Sequence, residues 1–495
     1  MTRTLTAAAT SSLLLALAAP LFAQQAPPIN LTVNEAVKLA FERNLDLKVE
    51  LFNPAIGEAD IQRSLGIYDP QLNAAFNYSR SVSTNTFAFI PFHSDLFTGS
   101  AGVNQLLPTG GTIGASANSS WSSADALSYF TNGATINVSQ PLLRNRGKET
   151  TELNINVARF SKEGALDRFR TRLSDTVAQV RNDYFKLYNL RENLAVQREA
   201  LVLANKILDE TRGRVKAGVL PAMEILSAEF GSATREKAVL DAERAVKDQM
   251  DVLRLELQLE PGRDIVPVDE PVKEMLPVAE GEAVAAALKN RPELAAQRST
   301  VKINDLQQRA ARNRTLPDLS IVANFGSVGY SRDFPHSIEH ALHFEGGPLW
   351  GAGLQFSYPI GNRAAENDYI KSKLALEQSQ AQLHSQESGI INDVKAAIRL
   401  LQTSYLQLDV TSRGRAYAAE RLRAFRTKNS VGLATTKDVI DVENDLVSAE
   451  GNQIQAVVDY NNAITNLWHV TGVLLEKQGI KVTEQEADPL YQSAK

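Results

Sequence analysis

Residues 35–72 read EAVKLAFERNLDLKVELFNPAIGEADIQRSLGIYDPQL, and residues 282–319 read EAVAAALKNRPELAAQRSTVKINDLQQRAARNRTLPDL. The two stretches align without a gap at a constant spacing of 247 residues. Glu35-Ala36-Val37 returns as Glu282-Ala283-Val284, Asp46-Leu47 as Glu293-Leu294, and Pro70-Gln71-Leu72 as Pro317-Asp318-Leu319. Repetition at fixed spacing marks one structural unit used twice. The 495 residues are therefore read as two halves of one architecture.

Each copy changes its hydrophobic period at the shared proline. Before it, Ala36, Val37, Ala40, Phe41 and Leu47 recur near helical spacing, with Thr32 or Asn34 placed to cap the start. The helices should stop ahead of Asp69-Pro70 and Leu316-Pro317, because proline disfavours helical geometry in the residue before it. After it the period is two. Leu72, Ala74, Phe76 and Tyr78 alternate with polar or small residues, as do Leu319, Ile321, Ala323 and Phe325, then Ala134, Ile136 and Val138, and most clearly Trp350, Ala352, Leu354, Phe356 and Tyr358. Aromatics gather in the same regions, among them Phe87, Phe89, Phe97, Trp121, Tyr129 and Phe130. Such strands suit a lipid-facing barrel wall with interfacial girdles. An antiparallel sheet packed on a soluble core would give the same alternation.

The halves differ in one place. Between the shared prolines, Pro70 to Pro141 spans 71 residues and Pro317 to Pro359 only 42. Leu107-Pro108-Thr109-Gly110-Gly111 reads as a tight turn, and Ile113, Ala115 and Ala117 alternate after it. The surplus is either an additional hairpin, making six strands per chain, or a long external excursion.

Beyond the strands lie two polar stretches largely free of helix breakers, 147–217 and 361–431. Leu173, Val177, Val180, Tyr184 and Leu187 follow the alternating four-three spacing of a coiled-coil seam. Seventy helical residues would reach roughly 105 Å. Each rod ends at a glycine turn, at Gly218-Val219 and Gly432-Leu433, and return helices are expected over 222–259 and 436–470. The return helices and the segments before the strands are each about half a rod long. Two stacked half-helices would therefore span what one rod spans.

The fold expected is mixed and mainly α: an internally duplicated coiled-coil tunnel plus strands for a shared β-barrel. Its parts are a first repeat over 24–259 with strands in 70–141, an equatorial linker over 260–281, a second repeat over 282–472 with strands in 317–359, and an equatorial tail over 473–495, expected to be mobile after Thr483. Residues 1–23, with Arg3, an apolar run around Leu13-Leu14-Leu15 and Leu21-Phe22-Ala23 before Gln24, read as a removed signal peptide. That run falls short of the ~20 residues a membrane anchor needs.

Composition narrows the function. Charged residues make up 22% of the chain and the net charge is −5, which leaves no basic surface for nucleic acid. Cysteine is absent, excluding disulfides, thiolate zinc sites and lipid-acylated cysteine. No P-loop or nucleophile elbow occurs. His336-Ser337-Ile338-Glu339-His340 fits the H-x-x-E-H pattern of inverted zinc proteases, with His343 close by. Zinc catalysis needs such groups on a helix with a further ligand. Here they fall between two strands, in an expected loop, so no metal site is assigned.

Leu31-Thr32-Val33-Asn34-Glu35-Ala36-Val37 with Arg43-Asn44-Leu45-Asp46-Leu47, the counterpart Glu282-Ala283-Val284 with Asn290-Arg291-Pro292-Glu293-Leu294, the strand-closing Ser139-Gln140-Pro141-Leu142-Leu143 and the turns at Gly218 and Gly432 together resemble the outer-membrane efflux proteins, the TolC-like channel tunnels. The resemblance covers nearly the whole chain after residue 23. It implies a homotrimer in outer-membrane lipid, each chain giving four strands to a twelve-stranded barrel above a periplasmic helical tunnel. It implies no enzyme activity and no cofactor, but a passive exit duct for small molecules, working with a periplasmic adaptor and an inner-membrane transporter. The exit duct of a type I protein secretion system is the alternative within transport. A periplasmic coiled-coil scaffold would explain the rods without the strands.

The resemblance also assigns the tip of the rods. Gly218, Val219, Gly432 and Leu433 would form the tip turns where an adaptor docks. Asp438 and Asp441, three apart on one helix face, match acidic residues that line the pore constriction. As plain helix chemistry they are carboxylates at a helix N-terminus, and both readings can hold. The turn from Gly432 to Thr436 has no basic residue, so an ionic latch at the tip would use Arg214, Arg426, Lys428 or Lys437.

Overall fold

The computed structural model describes residues 28–84, 91–124, 127–483 and 487–495. The expected signal peptide and the aromatics Phe87 and Phe89 lie outside the described residues. In the first half, β1 (Ile29–Leu31), α1 (Val33–Arg43) and α2 (Leu45–Leu65) precede four strands: β2 (Gln71–Thr84), β3 (Pro91–Leu106), β4 (Thr112–Ala124) and β5 (Leu127–Pro141). A single turn, α3 (Lys148–Thr151), leads into the rod α4 (Leu153–Lys216) and the return helix α5 (Met223–Leu257). After β6 (Ile265–Pro267) the second half runs α6 (Glu280–Asn290), α7 (Pro292–Arg314), β7 (Asp318–Ser331), α8 (Phe334–Leu342), β8 (Pro348–Ser357), rod α9 (Arg363–Ser430) and return helix α10 (Thr436–Val470). Two short helices, α11 (Leu474–Lys477) and α12 (Asp488–Ala494), end the chain.

The rods are 64 and 68 residues long, roughly 100 Å each. The segments before the strands are not single half-helices. The first breaks at Asn44, whose backbone leaves helical geometry and whose Oδ1 accepts the Leu47 amide at the start of α2. The second breaks at Arg291, held extended before Pro292. The tail also departs from expectation. It carries α12, with Ala487 buried and Lys162 within 3.4 Å of Asp488.

One antiparallel sheet takes all six long strands in the order β2-β3-β4-β5-β7-β8. The surplus of the first half is thus an additional hairpin, and the resemblance's four strands per chain are corrected to six. Its turn at Leu107–Gly111 is closed by Leu107 N donating to Gly111 O at 2.7 Å, with Gly110 at φ +86°. A hydrogen bond from Gly147 N to Thr109 O fixes that turn against the entry to the rod, at the helical end of the sheet.

The register gives the sheet two chemically distinct faces. One carries Leu72, Phe76, Val103, Ile113, Ile136, Val138, Phe325, Trp350 and Leu354. The other carries Asn73, Asn77, Ser100, Ser116, Asn118, Thr135, Asn324 and Gln355. On the apolar face Tyr78, Phe97, Trp121 and Phe130 stand in one row across four strands. That row lies toward the end of the sheet away from the rods. It is an aromatic girdle of the kind barrels place at a membrane interface.

The main cores lie around the middle of the rods. Leu173, Val177, Val180, Tyr184 and Leu187 are fully buried, together with Leu253, Leu257 and Ile265, so the seam legible in the sequence packs as one. The linker is ordered here, paired through β6 with β1 in a parallel two-stranded sheet that sequence patterning does not signal. Two buried tyrosines clamp it. Tyr184 Oη donates to Leu31 O at 2.9 Å and accepts from Val268 N and Asp269 N, while Tyr460 Oη donates to Glu274 O and accepts from Leu276 N. Asp269 Oδ2 in turn accepts from Val33 N at the start of α1.

Candidate functional site

The turn ends of the two hairpins meet at one tip. Gly218 (φ +75°) and Gly432 (φ +77°) adopt the left-handed geometry that ends each rod, and a Cβ would be strained at either. Beside them Val219, Val431 and Leu433 are 64%, 66% and 78% exposed. Met223, Leu226 and Phe230 on α5 and Ile440 on α10 line an apolar groove of about 400 Å³ next to them. Apolar surface left in water at a helical end marks a contact surface.

Thr435 starts α10 with a complete capping box. Its Oγ1 accepts from Asp438 N at 3.1 Å, and Asp438 Oδ2 accepts from Thr435 N at 2.8 Å and Thr435 Oγ1 at 2.7 Å. These bonds, the backbone one foremost, hold the Asp438 carboxyl below its usual pKa. Asp441 pairs with Lys437 at 2.7 Å across one helical turn. Both carboxylates are solvent-facing and on one helix. The capping role of Asp438 is thus explicit in the geometry.

Of the four candidate latch residues, Arg214 reaches across the tip. Its Nη1 donates to Asn429 O at 3.1 Å and Asn429 Oδ1 at 3.0 Å, and its Nη2 donates to Asn429 O at 3.2 Å. The end of the first rod is thereby tied to the end of the second, through hydrogen bonds to a carbonyl and an amide rather than to a carboxylate. Lys428 lies 5.1 Å from the centre of the Phe425 ring, and Lys437 is occupied by Asp441. Arg426 lines the same cleft as Arg214, and its charge acts on Glu443.

Glu443, 2% exposed on α10, is the buried charge of this region. It lies 3.6 Å from Arg235 of α5, and its Oε1 has no hydrogen-bond partner. Burial raises its pKa, opposed by Arg235 and Arg426. A second bridge joins the return helices: Thr436 N donates to Glu224 Oε2 at 3.1 Å, so a carboxylate of α5 caps α10. Between α4, α9 and α10 a cleft of about 1000 Å³ opens beside Arg214, Thr211, Leu422 and Arg426. Sequence reading pairs Glu224 with Asp438 and Glu229 with Glu443 as repeats, but it gives no sign that Glu224 and Arg235 reach the other hairpin.

His336 to His340 lie in a helix, α8, rather than the expected loop, and His343 caps its C-terminal end. His340 uses Nδ1 on Tyr330 O and faces Glu345 with Nε2 at 3.2 Å, while His343 Nδ1 contacts Glu339 O. Among the described residues no group of three or more metal-binding side chains is gathered to hold an ion.

Duplicated helical hairpins of this length, joined to a two-faced sheet whose outer strands each pair on one side only among the described residues, are the fold of a channel-tunnel protomer. The chain belongs to the outer membrane efflux protein family, whose model matches residues 112–256 and 283–473. The outer membrane efflux protein BepC of Brucella suis is 22% identical over 347 residues, 70% of this chain and 74% of that protein. The fold is that of the CmeC outer membrane channel of Campylobacter jejuni, at 14% identity and TM-score 0.68 over 93% of this chain and 89% of that one. It is also that of VceC from Vibrio cholerae, at 14% identity and TM-score 0.65 over 89% and 96%. The chain is an outer-membrane protein whose helices extend into the periplasm, and its relatives are channels.

Proposed function

We propose that three copies of this chain form the passive outer-membrane duct of a tripartite efflux system, receiving small molecules from an inner-membrane transporter through a periplasmic adaptor. The observation that carries the reading is the six-stranded sheet itself. It has one apolar and one polar face, and among the described residues β2 and β8 each pair with one strand only. In lipid an unpaired strand edge leaves backbone groups without partners, so the edges must be closed by sister chains. Three copies give an eighteen-stranded barrel with the Asn, Ser, Thr and Gly face inward. Barrel diameter grows with strand number, so this wall encloses a wider lumen than twelve strands would. The rods below continue the lumen to a tip that the Arg214 to Asn429 contact holds together, and Asp438 and Asp441 of three chains supply six carboxylates around it. The exposed apolar residues Val219 and Leu433 at the turns receive the adaptor.

The absence of cysteine makes the test direct. Cysteines placed on β2 at Asn73 and on β8 at Gln355 should give a disulfide-linked trimer in outer-membrane fractions. The same strain should lose drug efflux when the protein is deleted and regain it with the reduced variant. A monomer after oxidation, or intact efflux in the deletion strain with loss of secretion of one protein, would reject the reading.

A further inference from the structure

Helix α8 belongs to neither the rods nor the strands, and it lies on the apolar face of the sheet rather than above its rim. Its Phe334 ring meets Phe130 edge-on at 5.6 Å, and the following Phe344 ring stacks at a tilt on Phe325 at 6.1 Å. Asn132 Nδ2 donates to Ser337 Oγ beneath the helix, where Asn132, Ser327 and Ser337 are all buried. Gly329 permits the contact, since a Cβ there would strike the Ser337 carbonyl. A helix satisfies its own backbone and can therefore rest against a wall in lipid.

Between α8 and Phe76 the wall is floored by small residues, Gly99, Ala101, Ala117 and Ala134, leaving an apolar trough of about 400 Å³ bounded by Ile338 and Leu342. A second trough of about 530 Å³ shares Ala101, Ala117 and Leu342 and continues to Leu72 and Phe344. From the Gly99–Ser119 pair to the Val103–Ala115 pair the floor runs four residues, roughly 13 Å. That is about half the ~25 Å apolar band of an outer-membrane barrel.

We propose that this trough binds an acyl chain of an outer-leaflet membrane lipid. Three observations choose that occupant. The trough begins one same-face step from the girdle toward the rods, since Phe76, Gly99, Ser119 and Asn132 each lie two residues from Tyr78, Phe97, Trp121 and Phe130. It therefore starts where the interface gives way to hydrocarbon. One step above the girdle on the same face, Arg80 and Asp95 pair at 2.7 Å, placing charged groups at headgroup level. Lastly, the trough lies over the central strands β3, β4 and β5. A sister chain that extends the sheet joins at β2 or β8, and a periplasmic partner meets the helices. In water Leu342 would stand 71% exposed beside this groove; against an acyl chain it is covered.

The proposal rests on the outer-membrane placement of the wall. The test is the full-length protein in phosphatidylcholine nanodiscs containing a phospholipid with a diazirine in its acyl chain, with crosslinks mapped by mass spectrometry. Labelling should concentrate at least fivefold on the segments around Ala101, Ala117 and Leu342 over the lipid-facing segments at Ile321 and Leu354. A101L/A117L, which fills the floor, should abolish the excess while the oligomer persists. Labelling spread evenly along the apolar face, or an excess that A101L/A117L leaves intact, overturns the site. Crosslinks from a cysteine at Ile338 to a second copy would overturn lipid as the occupant. An absence of labelling anywhere would instead count against the membrane placement itself, so the two failures are distinguishable.

Discussion

Arg214 and Asn429 are 215 residues apart in sequence, yet the guanidinium of one closes on both the carbonyl and the side-chain oxygen of the other. No second cation among the candidate latch residues makes this crossing. Charged hydrogen bonds of a partly exposed group contribute about 1 kcal/mol each way between two tip states. Arg214→Ala should therefore shift a closed tip toward open by about fivefold. Single-channel recordings in planar bilayers should show longer open dwell times in R214A. N429A should have a smaller effect, since the backbone carbonyl still accepts. Equal dwell times in R214A and wild type would remove the latch role.

Tyr184 stands at the midpoint of its rod and closes three hydrogen bonds, one to Leu31 of β1 and two to Val268 and Asp269 of the linker. Tyr184→Phe keeps the ring and its packing but leaves the Asp269 amide in a part-buried site without its partner, while Val268 N keeps its bond to Leu31 O at 3.2 Å. Unsatisfied buried groups cost ~1–3 kcal/mol each, partly relieved by water. A fall in the thermal midpoint of several degrees is expected by circular dichroism, with the helical content at low temperature unchanged. A midpoint within a degree of wild type would show that water replaces the hydroxyl fully.

The parts of this architecture legible in sequence are those set by neighbours in the chain. The proline at which period changes, the heptad seam through Tyr184, and the glycines that end each rod all act within a few residues. The four-three spacing that placed Tyr184 in the seam gave no hint of its hydroxyl's partners, because Leu31 and Val268 come from distant segments. The break at Arg291 is announced by Pro292, whereas the equivalent break at Asn44 depends on a side chain that either continues a helix or caps one. Helix α8 escaped because Phe334-Pro335 reads as a loop start and nine residues are too few for a period; its helicity comes from packing on Asn132 and Gly329. At the tip, Asp438 showed its position but not its bonds. Arg235 and Glu224 gave no signal, as their partners lie on the other hairpin.

Glu256 sits between α4 and α5 beside Asp183, which accepts from Gln249 at 2.8 Å, and its own Oε2 is buried without a hydrogen-bond partner. Burial first, and then the Asp183 charge, push its carboxyl up to about 8. A carboxyl whose folded pKa is raised favours folding when protonated. Its contribution is complete below the ordinary carboxylate pKa near 4.5 and is lost as pH rises to about 8. Glu256→Gln fixes the neutral form. The variant should match wild type near pH 5 and exceed it near pH 8, with a gain in thermal midpoint on the order of several °C. A constant difference across that range would mean that Glu256 titrates normally.

The two carboxylates of α10 separate by their bonds, and that makes their roles separable. Asp438 is engaged with Thr435 at three points, while Asp441 holds only the flexible ammonium of Lys437. Thr435→Ala removes the cap and leaves both charges, at a cost of about 1 kcal/mol in the local helix. Asp441→Asn removes one charge per chain and leaves the cap. If the pair lines a pore constriction, divalent cations should block current through wild type, and block should weaken several-fold in D441N and further in D438A/D441A. It should persist in T435A, whose tip is looser but equally charged. If the pair only starts a helix, T435A and D438A should behave alike in thermal stability, and block should be unchanged in all variants. Planar-bilayer titration with Mg²⁺ and Co²⁺ separates the cases, because a cap is local to one chain and a ring of charge is read by every ion that passes.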